Sequence, residues 1–338
     1  MSQVISLLQK NLLTWYKHHR RDLPWRNTTD PYAIWVSEVM LQQTRVDTVI
    51  AYWHRFLETF PTLADLAKAD EQAVLQIWQG LGYYRRAKLM HKAAKQVLSQ
   101  FDGNLPKTLV ELIKLSGFGP YTAGAVASIA FGEKVPCVDG NVIRVLSRIF
   151  ASHADVTPHA FALAKHRDPS SINQSLMELG ALICLPKNPK CSSCPVQMRC
   201  QANQQQTIDL YPAPRKKPNV KNVFAAALIL HNPQEQTFLL QQRPSSGRWP
   251  NMWEFPYFEF EENDMCVEQF LTTKFPKAAN FAKKGKVRHQ LTHQNIHVDV
   301  YFAETFEQSS GPTTQKWIKD VSTLPTSVLA KKIQQTLG

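Results

Sequence analysis

A mostly α domain followed by a smaller α+β domain is the architecture this sequence predicts. Apolar residues recur at helical spacing over roughly the first 210 positions. A proline- and base-rich break follows, and strand-like alternation lies beyond it. A length of 338 residues leaves room for about two domains.

Apolar residues spaced by three and four occur in VISLLQKNLLTWY, in VSEVMLQQTRVDTVIAYWHRFLETF and in EQAVLQIWQGLGYY, so each segment is expected to be helical. Pro24, Pro31, Pro61, Pro106 and Pro136 punctuate them. Asp70, ahead of Glu71, is an expected N-cap. The segment Tyr211 to Asn222, YPAPRKKPNVKN, is poor in apolar residues and reads as a linker. The expected boundaries are therefore a helical domain over 1–210, a linker over 211–222 and a mixed domain over 223–338. In the latter, VFAAALIL and TFLLQQR are expected strands around the turn HNPQEQ, NIHVDVYFAETF is another, and SVLAKKIQQTL is a closing helix.

A formal net charge of +12 favours a polyanionic partner, through phosphate contacts and counterion release. No P-loop or GxGxxG sequence offers a different phosphate grip. No apolar run reaches the length of a membrane span, so no membrane association is expected. The first 25 residues alternate at helical spacing and lack the features of an export signal, which predicts a cytoplasmic protein. Disulfides are disfavoured in that compartment.

That matters for Cys184, Cys191, Cys194 and Cys200, a Cys-x6-Cys-x2-Cys-x5-Cys array in a short polar loop. Thiolates this close in sequence can converge on one ion or cluster. Structural zinc favours paired Cys-x2-Cys knuckles, and only one such pair is present. The uneven gaps fit a four-iron cluster at least as well. Spacing alone leaves both open.

Upstream, LSGFGPYTAGAV from Leu115 to Val126 is a Gly-x-Gly turn entering a helix of small residues. Gly117 and Gly119 let the backbone bend and approach another surface, and the free amides of the next helix suit a phosphate. Twenty residues after Gly119, Asp139 opens Asp139-Gly140-Asn141. Alone it reads as an N-cap. After a hairpin of this kind it is a candidate catalytic carboxylate.

Hairpin, downstream aspartate and cysteine loop, in this order, resemble the helix–hairpin–helix DNA glycosylases that carry a 4Fe-4S cluster. LPWR at 23–26, SEVMLQQTRV at 37–46, GLGYYRRA at 80–87 and DGNVIRVLSR at 139–148 resemble the adenine DNA glycosylase (MutY) family within them. The resemblance covers about residues 10–205 and extends more loosely to the C-terminus. It implies removal of adenine mispaired with 8-oxoguanine or guanine in double-stranded DNA, by a monomer holding one 4Fe-4S cluster on the four cysteines.

Breaking an N-glycosidic bond needs a proton for the departing base and a negative group facing the oxocarbenium-like sugar, two roles for two carboxyls. Glu38 lies in an apolar helical segment, where desolvation would keep a proton available. By resemblance it protonates adenine N7 and activates water, Asp139 stabilises the sugar cation, and Tyr121 and Asn141 support the two acids. Tyr121 occupies the place of the Schiff-base lysine of glycosylase–lyases, which implies a monofunctional enzyme. Gln43 and Tyr83 match the residues that fill the gap left by the flipped base. Trp25, Arg26 and Glu178 match the lining of the adenine pocket.

Residues beyond 222 resemble the MutT-like (Nudix-like) domain of the same family. Glu261-Glu262 lacks the preceding Arg-Glu that the hydrolase signature requires for magnesium, so lesion recognition is expected here instead. Leu291-Thr292-His293 aligns with the family's Phe-Ser-His loop that reads 8-oxoguanine. Thr292 keeps a hydroxyl, His293 is retained, and Leu291 replaces the ring. The segment 151–172 is shorter than in the family. Two rival readings are a bifunctional pyrimidine-lesion glycosylase, opposed by Tyr121 and the C-terminal domain, and a non-catalytic mismatch binder, opposed by the presence of both acids.

Overall fold

The computed structural model describes residues 2–213, 219–261, 267–306 and 314–337. By packing, the chain forms two units, one from 1–68 with 89–215 and one from 69–88 with 216–338. Residues 69–88, placed by the sequence in the helical domain, thus group with the C-terminal strands. Linker residues 214–218 and Glu262 lie outside the described residues.

The helices of the N-terminal half are α1 (Ser2–His19), α2 (Pro31–Met40), α3 (Val46–Thr59), α4 (Leu63–Lys68), α5 (Glu71–Trp78), α6 (Arg85–Gln100), α7 (Leu109–Leu112), α8 (Pro120–Phe131), α9 (Gly140–Ile149), α10 (Thr157–Ala164), α11 (Pro169–Leu182) and α12 (Gln201–Gln204). Two expected helices are shorter than their periodicity. The segment from Val36 to Phe60 is α2 and α3, separated by a turn in which Gln43 takes a left-handed φ of 59°. The segment from Glu71 stops at Trp78, and Gly80, Gly82 and Tyr83 all have positive φ. Periodicity reports which residues face the core, and a chain can keep that facing across a break. Asp70 does cap α5, accepting from the Gln72 amide.

In the first unit, Leu8 and Leu12 of α1 pack with Val145 and Leu146 of α9, Leu163 of α10 and Leu176 of α11. The 151–172 segment supplies a helix to this core, through Val156, Ala160 and Leu163. Asp30 starts α2 by accepting from the amides of Tyr32 and Ala33, with Pro31 in the first turn where no amide is needed. Every residue from Tyr32 to Met40 is buried, so α2 runs through the interior against α8.

The second unit is built on a mixed sheet of β1 (Lys221–Asn232), β2 (Thr237–Gln242), β3 (Trp253–Glu254), β4 (Tyr257–Phe260), β5 (Ala279–Gln290), β6 (Gln294–Glu304) and β7 (Gln315–Ile318), with α13 (Val267–Lys274) and α14 (Val328–Gln334). The main order is β3-β2-β1-β6-β5, with β4 on β1 and β7 on β2. Strand β1 is parallel to β6 and antiparallel to β2 and β4. Its apolar run is continuous because both faces are covered. Ala225, Ala227 and Ile229 pack with Leu329 and Ile333 of α14, while Ala226, Leu228 and Leu230 pack with Leu271 of α13. The β5–β6 hairpin, in which Gln290 pairs with Asn295, presents Thr292 and His293 at its exposed tip. Among the described residues, no helix is long and apolar enough to cross a membrane.

Candidate active site and cysteine loop

Two helix starts and one buried helix assemble the site in the first unit. Glu38, 5 % exposed, projects from α2 and accepts a 2.5 Å hydrogen bond from the Tyr121 phenol in the first turn of α8. That phenol also lies 3.6 Å from Met177 Sδ. Burial pushes the Glu38 carboxyl up to about 7, the Tyr121 hydrogen bond opposes this, and the nearby Asp139 charge adds to it. A carboxyl in that range holds a transferable proton near neutral pH.

Asp139 caps α9, accepting from the Val142 amide at 2.7 Å and from Asn141 Nδ2 at 2.9 Å. The capping and catalytic readings of Asp139 are therefore compatible. Burial raises its pKa, while the Val142 amide, Asn141 and Arg144 favour the charged form. Arg144 was missed at the sequence level. It donates to Asn141 Oδ1 at 2.8 Å, to the Gly180 carbonyl at 2.8 Å and to the Cys184 carbonyl at 2.7 Å. One guanidinium thus links the Asp139–Asn141 pair to the first residue of the cysteine array. Its signal was its place three residues after Asn141, one helical turn on the same face.

Glu178, 1 % exposed, is clamped by two guanidinium groups, Arg21 at 2.7 Å and Arg26 at 2.9 Å. Burial raises its pKa, but the hydrogen bonds from Arg21 and Arg26 outweigh that and hold it at about 2. The positive charge of Arg26 also acts on Glu38. Trp25 is buried edge-on against Trp53, with centroids 6.2 Å apart. Gln43 is exposed, and its neighbour Gln42 donates to Thr122 Oγ1 at 3.0 Å, beside Tyr121.

The hairpin between α7 and α8 uses its glycines differently. Gly117 has φ +79°, and a Cβ there would sit 2.7 Å from Leu89 Cβ, so folding demands glycine. Gly119, the N-cap of α8, has φ −83° and nothing within 4 Å of the position a Cβ would take. Open space at a helix N-terminus leaves room for a phosphate.

Cys184, Cys191, Cys194 and Cys200 line one cavity with Val145, Arg148, Leu179 and Ile183. Arg148 donates to Cys184 Sγ at 3.4 Å and to the carbonyls of Leu185, Pro186 and Tyr211, which ties the loop to α9. Lys187, Lys190 and Arg199 are exposed on it.

In the second unit, Tyr83 is 48 % exposed, and its phenol lies 3.3 Å from Thr292 Oγ1. Two residues assigned to DNA by separate motifs are thus brought together.

Residues 36–165 match the family model of the HhH-GPD superfamily base excision DNA repair protein, and residues 226–336 match the NUDIX domain model. An adenine DNA glycosylase of Mus musculus is 33 % identical over 93 % of this chain and 74 % of its own length. One from Buchnera aphidicola subsp. Schizaphis graminum is 30 % identical over 90 % of this chain and 91 % of its own. Among solved structures, a thermostable thymine-DNA glycosylase gives a TM-score of 0.57 at 28 % identity, over 60 % of this chain and 98 % of that one. A non-covalent endonuclease III–DNA complex gives 0.53 at 23 % identity, over 61 % and 98 %, a likeness of fold.

Proposed function

This chain belongs to the adenine DNA glycosylase family, base-excision enzymes that hydrolyse N-glycosidic bonds, and on that premise we propose that it removes adenine mispaired with 8-oxoguanine, or with guanine, in double-stranded DNA. The observation that carries the reading is Glu38, buried, its pKa pushed up to about 7 by that burial, and in contact with Tyr121 beside Asp139.

In this mechanism the adenine enters its pocket out of the stack, and Gln43 of the first unit and Tyr83 of the second each serve as an intercalating residue. Glu38 gives its proton to adenine N7 as the bond from N9 to C1′ breaks. The sugar gains oxocarbenium character, and Asp139 faces it with a negative charge that Val142, Asn141 and Arg144 favour. The Glu38 carboxylate then takes a proton from a water attacking C1′. One water is consumed, and free adenine and an abasic sugar result. No lysine stands at position 121, so no imine forms there and the strand stays intact. Arg26 and Glu178 line the pocket as a fixed ion pair.

The cysteine loop fits a 4Fe-4S cluster on Cys184, Cys191, Cys194 and Cys200. All four line one cavity, yet among the described residues no three His, Cys, Asp or Glu side chains are grouped as ligands of a single ion would be. Burial raises the thiols of Cys191, Cys194 and Cys200, and Cys184 beside each of them adds to this, so thiolates there need compensating cations. When bound, the cluster supplies thiolate-to-iron bonds that hold the loop. Lys187, Lys190 and Arg199 then face DNA phosphates.

Thr292 and His293 read the 8-oxoguanine. The test is single-turnover excision from A:8-oxoguanine and A:G duplexes by the unmutated protein and by Thr292→Ala with His293→Ala. The double variant should lose preference for 8-oxoguanine. An unchanged preference removes the loop from the account, and no adenine release by the unmutated protein removes the account itself.

A further inference from the structure

The helix α5 meets strand β3 and the loops of its own unit through polar side chains. Asn251 Nδ2 donates to Glu71 Oε1 at 2.6 Å, and Trp253 Nε1 donates to Gln72 Oε1 at 2.9 Å. Gln72 Nε2 donates to the Asn251 carbonyl at 3.0 Å, and Gln76 Nε2 donates to the Ser322 carbonyl at 2.7 Å. At the end of α5, Gln79 Nε2 meets the Thr326 carbonyl at 3.1 Å and the Thr326 hydroxyl at 2.6 Å. Side-chain amides are thus fixed to the β-domain on every turn of this short helix.

Tyr83 follows four residues later, at the tip of a turn with little freedom. Trp78 Nε1 donates to the Gly82 carbonyl at 3.1 Å, and the Gly80 amide donates to the Tyr84 phenol at 3.2 Å. The Arg86 guanidinium donates to the same Gly82 carbonyl at 3.2 Å and lies over the rings of both Trp78 and Tyr83. Tyr83 itself has a left-handed φ of 49°. Its exposed ring reaches the tip of the β5–β6 hairpin, 3.3 Å from Thr292 Oγ1.

We propose that α5 is a strap by which the β-domain sets the wedge, with Gln79 the positioning residue that holds Tyr83 at Thr292. The inference rests on the proposed roles of Tyr83 and Thr292 in DNA and adds what governs their placement. The Gln79 side-chain amide is directed at Thr326. It acts through the turn that carries Tyr83, because Thr326 anchors one end of that turn and Thr292 meets the other. The wedge then arrives already matched to the lesion-reading hairpin, and less ordering remains to be done on the DNA.

The test is a double-mutant cycle on the full-length protein, read as single-turnover adenine excision from an A:8-oxoguanine duplex at enzyme below saturation. Gln79→Leu removes both amide contacts at similar volume. It should lower the rate by about three- to tenfold in the unmutated background, the range of a lost hydrogen bond. In a Tyr83→Ala background it should change the rate by less than about twofold, since the residue it positions is gone. Thr326→Val, which removes only the hydroxyl, should follow the same pattern to a smaller extent, and it decides the matter alone if Gln79→Leu does not fold. Equal losses with and without Tyr83, or no loss in either, would overturn the strap. Failure of the unmutated protein to release adenine, or of Tyr83→Ala to slow it, would instead strike the underlying reading.

Discussion

Tyr121 donates its phenol hydrogen to Glu38 Oε2 across 2.5 Å, from the first turn of one helix to the last turn of another. The bond favours the charged carboxylate and offsets part of the burial that raises the Glu38 pKa to about 7. Without it, that pKa rises further. Glu38 acts first as an acid, so excision should fall as pH rises through about 7. In Tyr121→Phe this alkaline limb should move to higher pH. The check is the pH profile of the single-turnover rate, and a limb that stays in place separates Tyr121 from the acid.

A buried carboxyl with a folded pKa above its unfolded 4.5 favours the folded chain below pH 4.5 and loses that contribution as pH rises through about 7. Glu38→Gln carries no such penalty. Its stability relative to the unmutated chain should therefore improve between pH 4.5 and pH 8, by up to about 3 kcal/mol. Denaturant unfolding at the two pH values measures the difference. An equal offset at both would mean that Glu38 is not held in a desolvated site.

The opposite sign applies to Glu178. Held at about 2 against an ordinary 4.5, it stabilises the fold above pH 4.5, and the contribution drains away as pH falls through 2. Glu178→Gln leaves Arg21 and Arg26 facing a neutral amide. It should cost about 3 kcal/mol at pH 7, with a much smaller difference at pH 2.5. Thermal unfolding at both values checks this.

The two hairpin glycines should part ways on substitution. Gly117→Ala meets Leu89 and a left-handed backbone, and should destabilise the protein by about 2 kcal/mol. Gly119→Ala meets neither. It should leave the melting temperature within a degree or so and weaken DNA affinity several-fold, because the methyl occupies the approach to the α8 amides. Melting and DNA titration on both variants settle the pair.

Metal analysis tests the cysteine loop. About four iron and four acid-labile sulfide per chain are expected. One zinc per chain with no sulfide would overturn the cluster assignment.

Much of the candidate site was legible because its residues stand out locally in the sequence. Glu38 stands out as a lone acid in an apolar helix, and Asp139 and Asn141 as polar residues opening another. The cysteines announce themselves by spacing. Arg21 and Gln79 were not legible, since each acts through a partner far along the chain, Glu178 and Thr326, and Arg144 showed only its contact with Asn141 and not those with Gly180 and Cys184. The same cause moved residues 69–88. Their apolar spacing says helix, but their allegiance is written in polar contacts with Asn251, Trp253 and Ser322, which no periodicity reports. The break at Gln43 was hidden for the opposite reason, because the apolar pattern continues across it.

The most direct test of the account is single-turnover adenine release from an A:8-oxoguanine duplex by the unmutated protein and by Glu38→Gln, with DNA affinity measured alongside. The unmutated protein should release adenine and leave an unbroken abasic strand. Glu38→Gln should bind the duplex within about threefold of normal and release adenine at least about a thousandfold more slowly. Adenine release by Glu38→Gln at the unmutated rate would contradict the account.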